Sequence, residues 1–303
     1  MLFPISGVHI NPALLALVGF VVGVFGGFFG VGGSFLAGPA LFGFGVPMNF
    51  VVGTDLAHIV GKSIVAARKH RKLGNIDLKL GGIMALGTIG GVEVGAQFIQ
   101  YLKKTAQIDA VVGISFIVIL VGISSFMAWE TFQTIKTRRG KAPAARAPDA
   151  SAFQHIAKKL QRWGLPPYVD LPVSGIKRIS VWTIVFVSFF GGFFSGFLGG
   201  GAGYIRMPSM IYLLGIPTHV AVGTDLFEII ISAGYGTFSH ALKGNVDILI
   251  ALVMHTGGAI GAQLGATMTQ YFTGVRIRVA FIPLPLIGAA IILHGLLTGH
   301  KAP

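Results

Sequence analysis

Ionisable side chains are sparse in the apolar stretches of this chain, and those that occur are regularly spaced. Asp55, His58 and Lys62 stand at i, i+3 and i+7, which places them on one face of a helix. Their counterparts 170 residues later are Asp225, Glu228 and Ser232. Glu93, Arg206 and His255 complete the set. A charge at the centre of a bilayer costs about 2.5–3.5 kcal/mol on insertion scales, so such groups face the bundle interior and mark ion or substrate paths. The guanidinium of Arg206 presents a planar fork of donors suited to a sulfonate or carboxylate. Lys62 offers a second positive charge, and Thr54 and Thr224 offer hydroxyls. Asp55, Asp225 and Glu228 are candidates for coupling to a proton or a sodium ion. Plainer readings stand beside these. Arg206 pairs with Asp225 or Glu228 to fix the fold, and Lys62 partners Asp55 or snorkels. Asp55 and Asp225 cap the helix starts after Pro47 and Pro217. His58, His255 and Glu93 read as satisfied polar groups.

Two glycine-rich interruptions hold these groups in place. The first is GGFFGVGGSFLAGP (Gly26–Pro39) and the second is SGFLGGGAGYIRMP (Ser195–Pro208). In a membrane, backbone without helical partners is tolerated only where it is buried in protein or faces a wet cavity. Matching interruptions, one per half, point to a transporter's binding site. The free N–H groups at Gly32, Gly33 and Ser34, and at Gly201, Ala202 and Gly203, add donors for an anion, as helix N-termini do.

The class follows from composition. Of 303 residues, 53% are hydrophobic and 11% charged, against about 25% charged in soluble domains. Several runs of about 20 apolar residues are long enough to span a bilayer. The expected fold is an all-α polytopic membrane protein with two homologous halves of about four crossings each, and a discontinuous helix in each half. Residues 1–130 form the first half and 179–303 the second, with a basic cytoplasmic linker over 131–178. Spans are expected near Pro12–Gly30, Asn49–Arg68, Leu78–Leu102 and Ile108–Glu130. The short Ser34–Phe44 piece either completes one broken crossing or forms a re-entrant arm. The N-terminus has no basic residue before its first apolar run and does not read as a cleaved signal peptide. With no cysteine, disulfides and thiolate metal sites are excluded, and the sequence implies no metal or other cofactor.

The net charge of +13 is not a nucleic-acid signature, because it is concentrated in places. Arg68, Lys69, Arg71 and Lys72 share one loop, and ten more Lys and Arg lie between Thr131 and Ser180. This bias reports orientation, with both segments in the cytoplasm against anionic headgroups. The opposite loops then carry Lys103, Lys104, Arg276 and Arg278. An even number of crossings per half places the N-terminus, linker and C-terminus together and makes the halves parallel; an odd number inverts them. Within the linker, SAFQHIAKKLQRW puts Phe153, Ile156, Ala157, Leu160 and Trp163 on one helical face, either lying in the headgroup region or capping the bundle.

The halves repeat in order. Gly53-Thr54-Asp55-Leu56 matches Gly223-Thr224-Asp225-Leu226, and Gly74-Asn75-Ile76-Asp77 matches Gly244-Asn245-Val246-Asp247. Gly95-Ala96-Gln97 recurs as Gly261-Ala262-Gln263. Spacings such as Gly91/Gly95 and Gly257/Gly261/Gly265 read as close helix packing. With the glycine-rich stretches ending in proline, the Gly-Thr pairs and the Gly-Asn-x-Asp loops all duplicated, the chain resembles the sulfite exporter TauE/SafE family over both apolar halves. The resemblance implies a permease for sulfite, an organosulfonate or a related small anion in the cytoplasmic membrane. It differs in having Asp55 and Asp225 where the family commonly shows serine, and two carboxylates near an anion site must be protonated or paired. The resulting expectation is a secondary, ion-coupled transporter. The alternatives are a passive channel, a membrane assembly partner, or an intramembrane enzyme, for which no HExxH or tight His/Asp cluster is present. No Walker-type motif supplies an ATPase motor.

Overall fold

The computed structural model of the chain describes residues 1–105, 107–138, 158, 160–161 and 165–298. A two-stranded hairpin, β1 (Leu2–Phe3) with β2 (Val8–His9), opens the chain. Helices α1 (Pro12–Phe29), α2 (Ser34–Gly43), α3 (Met48–Lys72), α4 (Leu78–Lys104) and α5 (Ile108–Arg138) follow. A second hairpin pairs β3 (Tyr168–Leu171) with β4 (Ile176–Ser180). It leads into α6 (Val181–Leu198), a one-turn 3-10 segment, and α7 (Gly203–Ser209), which runs on as a π-turn over Met210–Leu214. Helices α8 (Thr218–Leu242), α9 (Ile248–Met268), α10 (Gly274–Phe281) and α11 (Pro283–Thr298) complete the fold. Among the described residues, seven segments are long and apolar enough to cross a membrane, and the protein is an all-α multi-pass membrane protein. The segment 153–163 lies outside the described residues apart from 158, 160 and 161.

Local chemistry explains the boundaries. Asn11 caps α1 through the Ala13 N–H, with Pro12 at the first helical position, where a missing N–H costs nothing. Asp77 caps α4 through Leu80 N–H at 3.0 Å, and Asp247 caps α9 through Leu249 and Ile250. The Gly-Asn-x-Asp loops are therefore helix starts. Asp55 and Asp225 are not caps: each lies two turns inside its helix and is buried.

Contacts fix the helix directions. Thr54, near the start of α3, accepts from the Asp247 N–H at 2.9 Å, just after α8 has ended. Thr224, near the start of α8, accepts from the Asp77 N–H at 2.9 Å, just after α3 has ended. Helices α3 and α8 thus lie side by side and antiparallel at the centre. Helix α1 runs parallel to α9, with Gly19 against Met254, Gly23 against Gly258 and Gly27 against Ala262. Helix α6 likewise runs parallel to α4, pairing Gly87 with Val185, Gly91 with Phe189 and Gly95 with Phe193. A Cβ built on Gly91 would lie 2.1 Å from the Phe189 carbonyl oxygen, and one on Gly261 would lie 2.1 Å from that of Phe20. These glycine spacings are helix-packing surfaces, as the sequence indicates.

The short pieces resolve as re-entrant arms. Helix α1 begins beside Asp247, to which Ser6 of the first hairpin is hydrogen-bonded. Helix α3 begins at that same end, where the Met48 N–H meets Asp109 at 2.9 Å. The four-residue turn after α1 and the arm α2 therefore carry the chain back. Helix α6 starts beside Asp77, held by Ser174 of the second hairpin at 2.7 Å, and α7 returns to the start of α8 at that end. This return corrects the even-crossing expectation. The N-terminal hairpin and α11 end at one face, and the second hairpin lies at the other, with the Arg68–Lys72 end. It also moves Arg276 and Arg278 to that basic face, because α9 ends beside Phe28, whose carbonyl oxygen accepts from Thr269 at 3.1 Å.

Two measurements test this arrangement. The chain has no cysteine, so single substitutions give a clean labelling background. Lys72→Cys should label from the cytoplasmic side, and His9→Cys and Lys104→Cys only from the other side; cytoplasmic labelling at His9→Cys would restore the even count. Gly91→Ala should cost about 1–3 kcal/mol through overpacking, read as a lowered melting temperature. Gly82→Ala, where an added Cβ meets nothing within 4 Å, should not.

Candidate functional site

The two glycine interruptions meet. Gly32 and Gly33 hold positive φ (69° and 79°), and their turn brings Gly33 back against Val22 of α1. The Ser34 hydroxyl, at the head of α2, donates to the carbonyl oxygen of Gly200 in the second interruption. A Cβ on Gly200 would fall 1.8 Å from the Ser34 Oγ and 2.7 Å from Asp55 Oδ2. One on Gly203 would fall 2.5 Å from Val31 Cα and 2.6 Å from Asp225 Oδ2. Each break is thus in contact with the other and with a buried aspartate. Ala202, a non-glycine residue at positive φ (46°), lies in the same turn as Gly201.

Beyond the crossing point the ionisable groups divide. On one side Arg206, Asp225 and Glu228 are all inaccessible to solvent. Arg206 Nε meets Asp225 Oδ1 at 2.7 Å, and Nη1 is bonded to Glu228 Oε2. Ser232 donates to Glu228 at 3.3 Å and receives from Arg206 at 3.4 Å. The stem of Arg206 lies over Gly191 of α6, where an added Cβ would come 2.3 Å from Cγ. The structural pairing of Arg206 is therefore realised, with both carboxylates of α8 as its partners.

On the other side Asp55, His58 and Lys62 share one face of α3 and are buried, with Lys62 only 2% exposed. Neither Lys62 Nζ nor either His58 nitrogen has a hydrogen-bond partner among the described residues. Lys62 neither snorkels to the surface nor forms an ion pair with Asp55. Two helical turns separate the two residues along the axis, about 10 Å. His255 of α9 faces this cluster, its ring centroid 6.5 Å from that of His58. The Asp55 carboxylate also lacks a well-formed hydrogen bond, with the Ser34 hydroxyl close by.

Between the clusters lies an apolar plug of Leu56, Ile59, Ile229 and Ala233. Gly32 abuts Ile59 Cδ1 and Gly201 abuts Ile229 Cγ1, so the breaks close over the plug. Thr54 and Thr224 do not point into either cluster: their hydroxyls accept from Asp247 and Asp77 and hold the crossed helices together. Glu93 belongs to a half-buried network at the Lys243 end, with Ser239 at 2.6 Å, Gln97 at 2.7 Å, and Tyr235 and Lys243 at 3.1 Å.

Sequence reasoning missed the two hairpin serines. Ser6 and Ser174 sit in matching tetrapeptides, Pro4-Ile5-Ser6-Gly7 and Pro172-Val173-Ser174-Gly175. Each serine bonds the capping aspartate of the oppositely directed series at 2.7 Å. The 168-residue offset was readable, but the short motif precedes the apolar runs and its purpose depends on the tertiary fold.

Comparisons with known proteins follow this geometry. The model of the family described as sulfite exporter TauE/SafE matches residues 15–292. A Bacillus subtilis protein, "probable membrane transporter protein YunE", is 26% identical over 293 residues, covering 93% of this chain and 98% of that protein. Its compatriot YdhB, also named a probable membrane transporter, is 25% identical over 282 residues, covering 92% and 99%. A probable membrane transporter of Xylella fastidiosa is 30% identical over 270 residues, covering 86% and 84%. No solved structure gives a significant match.

The Arg206 cluster predicts its own failure mode. Arg206→Ala leaves two buried carboxylates without a cation, at a cost of about 3–5 kcal/mol. The variant should melt far below the parent or fail to accumulate. The triple change Arg206→Met, Asp225→Asn, Glu228→Gln should recover most of that loss; a melting temperature unchanged by Arg206→Ala alone would show that the cluster does not hold the fold.

Proposed function

The chain belongs to the sulfite exporter TauE/SafE family, and from that premise we propose that it is a secondary transporter of a small sulfur-containing anion, coupled to cation movement. It is a multi-pass membrane transporter; the family and the relatives bear transporter names, not enzyme names. We place it in the cytoplasmic membrane, with sulfite or an organosulfonate as its cargo.

The observation that carries this reading is Lys62, a buried cation with no hydrogen-bond partner among the described residues, beside the point where the two breaks meet. An unpaired buried charge is strongly unfavourable, and an anion in contact with it removes much of that penalty. Lys62 supplies the charge and His58 further hydrogen bonding; Ser34 and the amides of Gly32 and Gly33 close the pocket from the first break. Arg206, engaged by two carboxylates, stabilises the second break and its amides at Gly201, Ala202 and Gly203 from behind.

Charge balance argues for coupling. The two buried clusters beside the meeting point of the breaks hold two cations, Lys62 and Arg206, and three carboxylates, Asp55, Asp225 and Glu228. With every group charged, the sum is 2 − 3 = −1. A monovalent anion brings it to −2 in a region closed to water. Entry of the anion is therefore accompanied by a cation, most simply a proton on Asp55, which is the carboxylate without an arginine. Rocking of the α3–α8 pair against the α1–α9 and α4–α6 pairs would open the pocket alternately to each face.

Proteoliposome flux tests the proposal. Sulfite or an organosulfonate should be driven uphill by an imposed cation gradient, which a channel cannot do. Lys62→Gln should lower uptake at least tenfold, the loss of one charged hydrogen-bonded contact, while the protein still inserts. Asp55→Asn should retain exchange of internal for external anion but lose its response to pH. Uptake by Lys62→Gln at the parental rate would remove the assigned site.

A further inference from the structure

A second buried cation without a hydrogen-bond partner among the described residues lies outside this pocket. Arg278, on α10, is fully buried, yet its Nε, Nη1 and Nη2 have no hydrogen-bond partner among the described residues. It ranks with Arg206 as one of the two bulkiest fully buried side chains. The contrast between them is chemical: Arg206 has two carboxylates against its fork, and Arg278 has none bonded to it. Guanidinium groups remain cationic across the physiological range, so proton loss offers no escape from the burial cost.

The surroundings are polar and fixed. Tyr212, in the π-turn that ends the second re-entrant arm, lies near Arg278 and near Glu130 and Thr131 of α5. Thr134 donates to Glu130 at 2.8 Å, which holds that carboxylate on its own helix. One turn from Arg278, the Ser124 hydroxyl binds the Ile282 carbonyl oxygen at 2.5 Å and pins the bend between α10 and α11. Phe281 packs edge-on against Phe29 and Phe35, the rings that flank the first break. Arg278 thus stands between the end of the arm that carries Arg206 and the base of the first break, at the basic face.

We propose that Arg278 is a second anion-binding site, taking a small oxyanion at the cytoplasmic end of the second arm. A planar fork of five donors matches two oxygens of a sulfite, sulfonate or carboxylate group. The site would receive the anion before or after it occupies the Lys62 pocket. The identity of the anion rests on the transport reading above; the existence of the site does not.

Calorimetric titration of the detergent-solubilised full chain with sodium sulfite under nitrogen, at constant chloride, tests the proposal. The parent should bind two anions per chain. Arg278→Gln should bind one, with affinity at the lost site reduced roughly tenfold or more. Lys62→Gln should likewise bind one, and the double variant none. If Arg278→Gln leaves both sites intact, Arg278 is structural and the proposal falls while the transport reading stands. If Lys62→Gln leaves both intact but Arg278→Gln removes one, the pocket assignment falls and Arg278 remains. Should Arg278→Gln not fold, Arg278→Lys keeps the charge and removes the fork; unchanged affinity at both sites in that variant overturns the proposal.

Discussion

Hydrocarbon cannot satisfy an unpaired peptide group, so a broken helix in a membrane needs a partner made of protein. Here each break is the other's partner. Ser34 reaches the Gly200 carbonyl, Gly203 lies on Val31, and glycine at these positions lets the two backbones approach more closely than side chains would permit. The rest of the fold serves that contact. Helices α3 and α8 cross beside it, fastened at both ends by Thr54 to Asp247 and Thr224 to Asp77. The glycine-lined α1–α9 and α4–α6 pairs press on it from either side.

The same centre sets the electrostatics. Placing Asp55 and Asp225 two turns into antiparallel helices puts one toward each face, and only Asp225 receives an arginine. The asymmetry leaves His58 and Lys62 buried without hydrogen-bond partners among the described residues, and Asp55 with only the Ser34 hydroxyl close by. In a purely structural core that arrangement is costly. Under the proposed function, an anion and a compensating cation arriving together would satisfy these groups.

Much of this was legible in the sequence. The breaks, the i, i+3, i+7 faces and the glycine packing spacings each carry a local physical signature, and each appears where that signature places it. Direction was not legible. Whether Ser34–Gly43 continues α1 or turns back depends on four residues of glycine-rich backbone, and that choice decides which face receives the termini. It also decides the meaning of Arg278, which reads as a loop charge under one count and lies buried under the other. Asp77 and Asp247 were read as loop residues because their partners, Ser174, Thr224, Ser6 and Thr54, are far away in the chain. Thr54 and Thr224 were read as ligands for the same reason.

Under the proposed function, the closed core accepts an anion only together with a compensating cation. Proton uptake on addition of sulfite to the purified protein, in weakly buffered solution at constant sodium, measures this without transport. Coupled binding should take up about one proton per anion bound at the Lys62 pocket, the number that offsets one buried charge, and Asp55→Asn should lose that uptake. Anion binding with no proton uptake, in both the parent and Asp55→Asn, would contradict it.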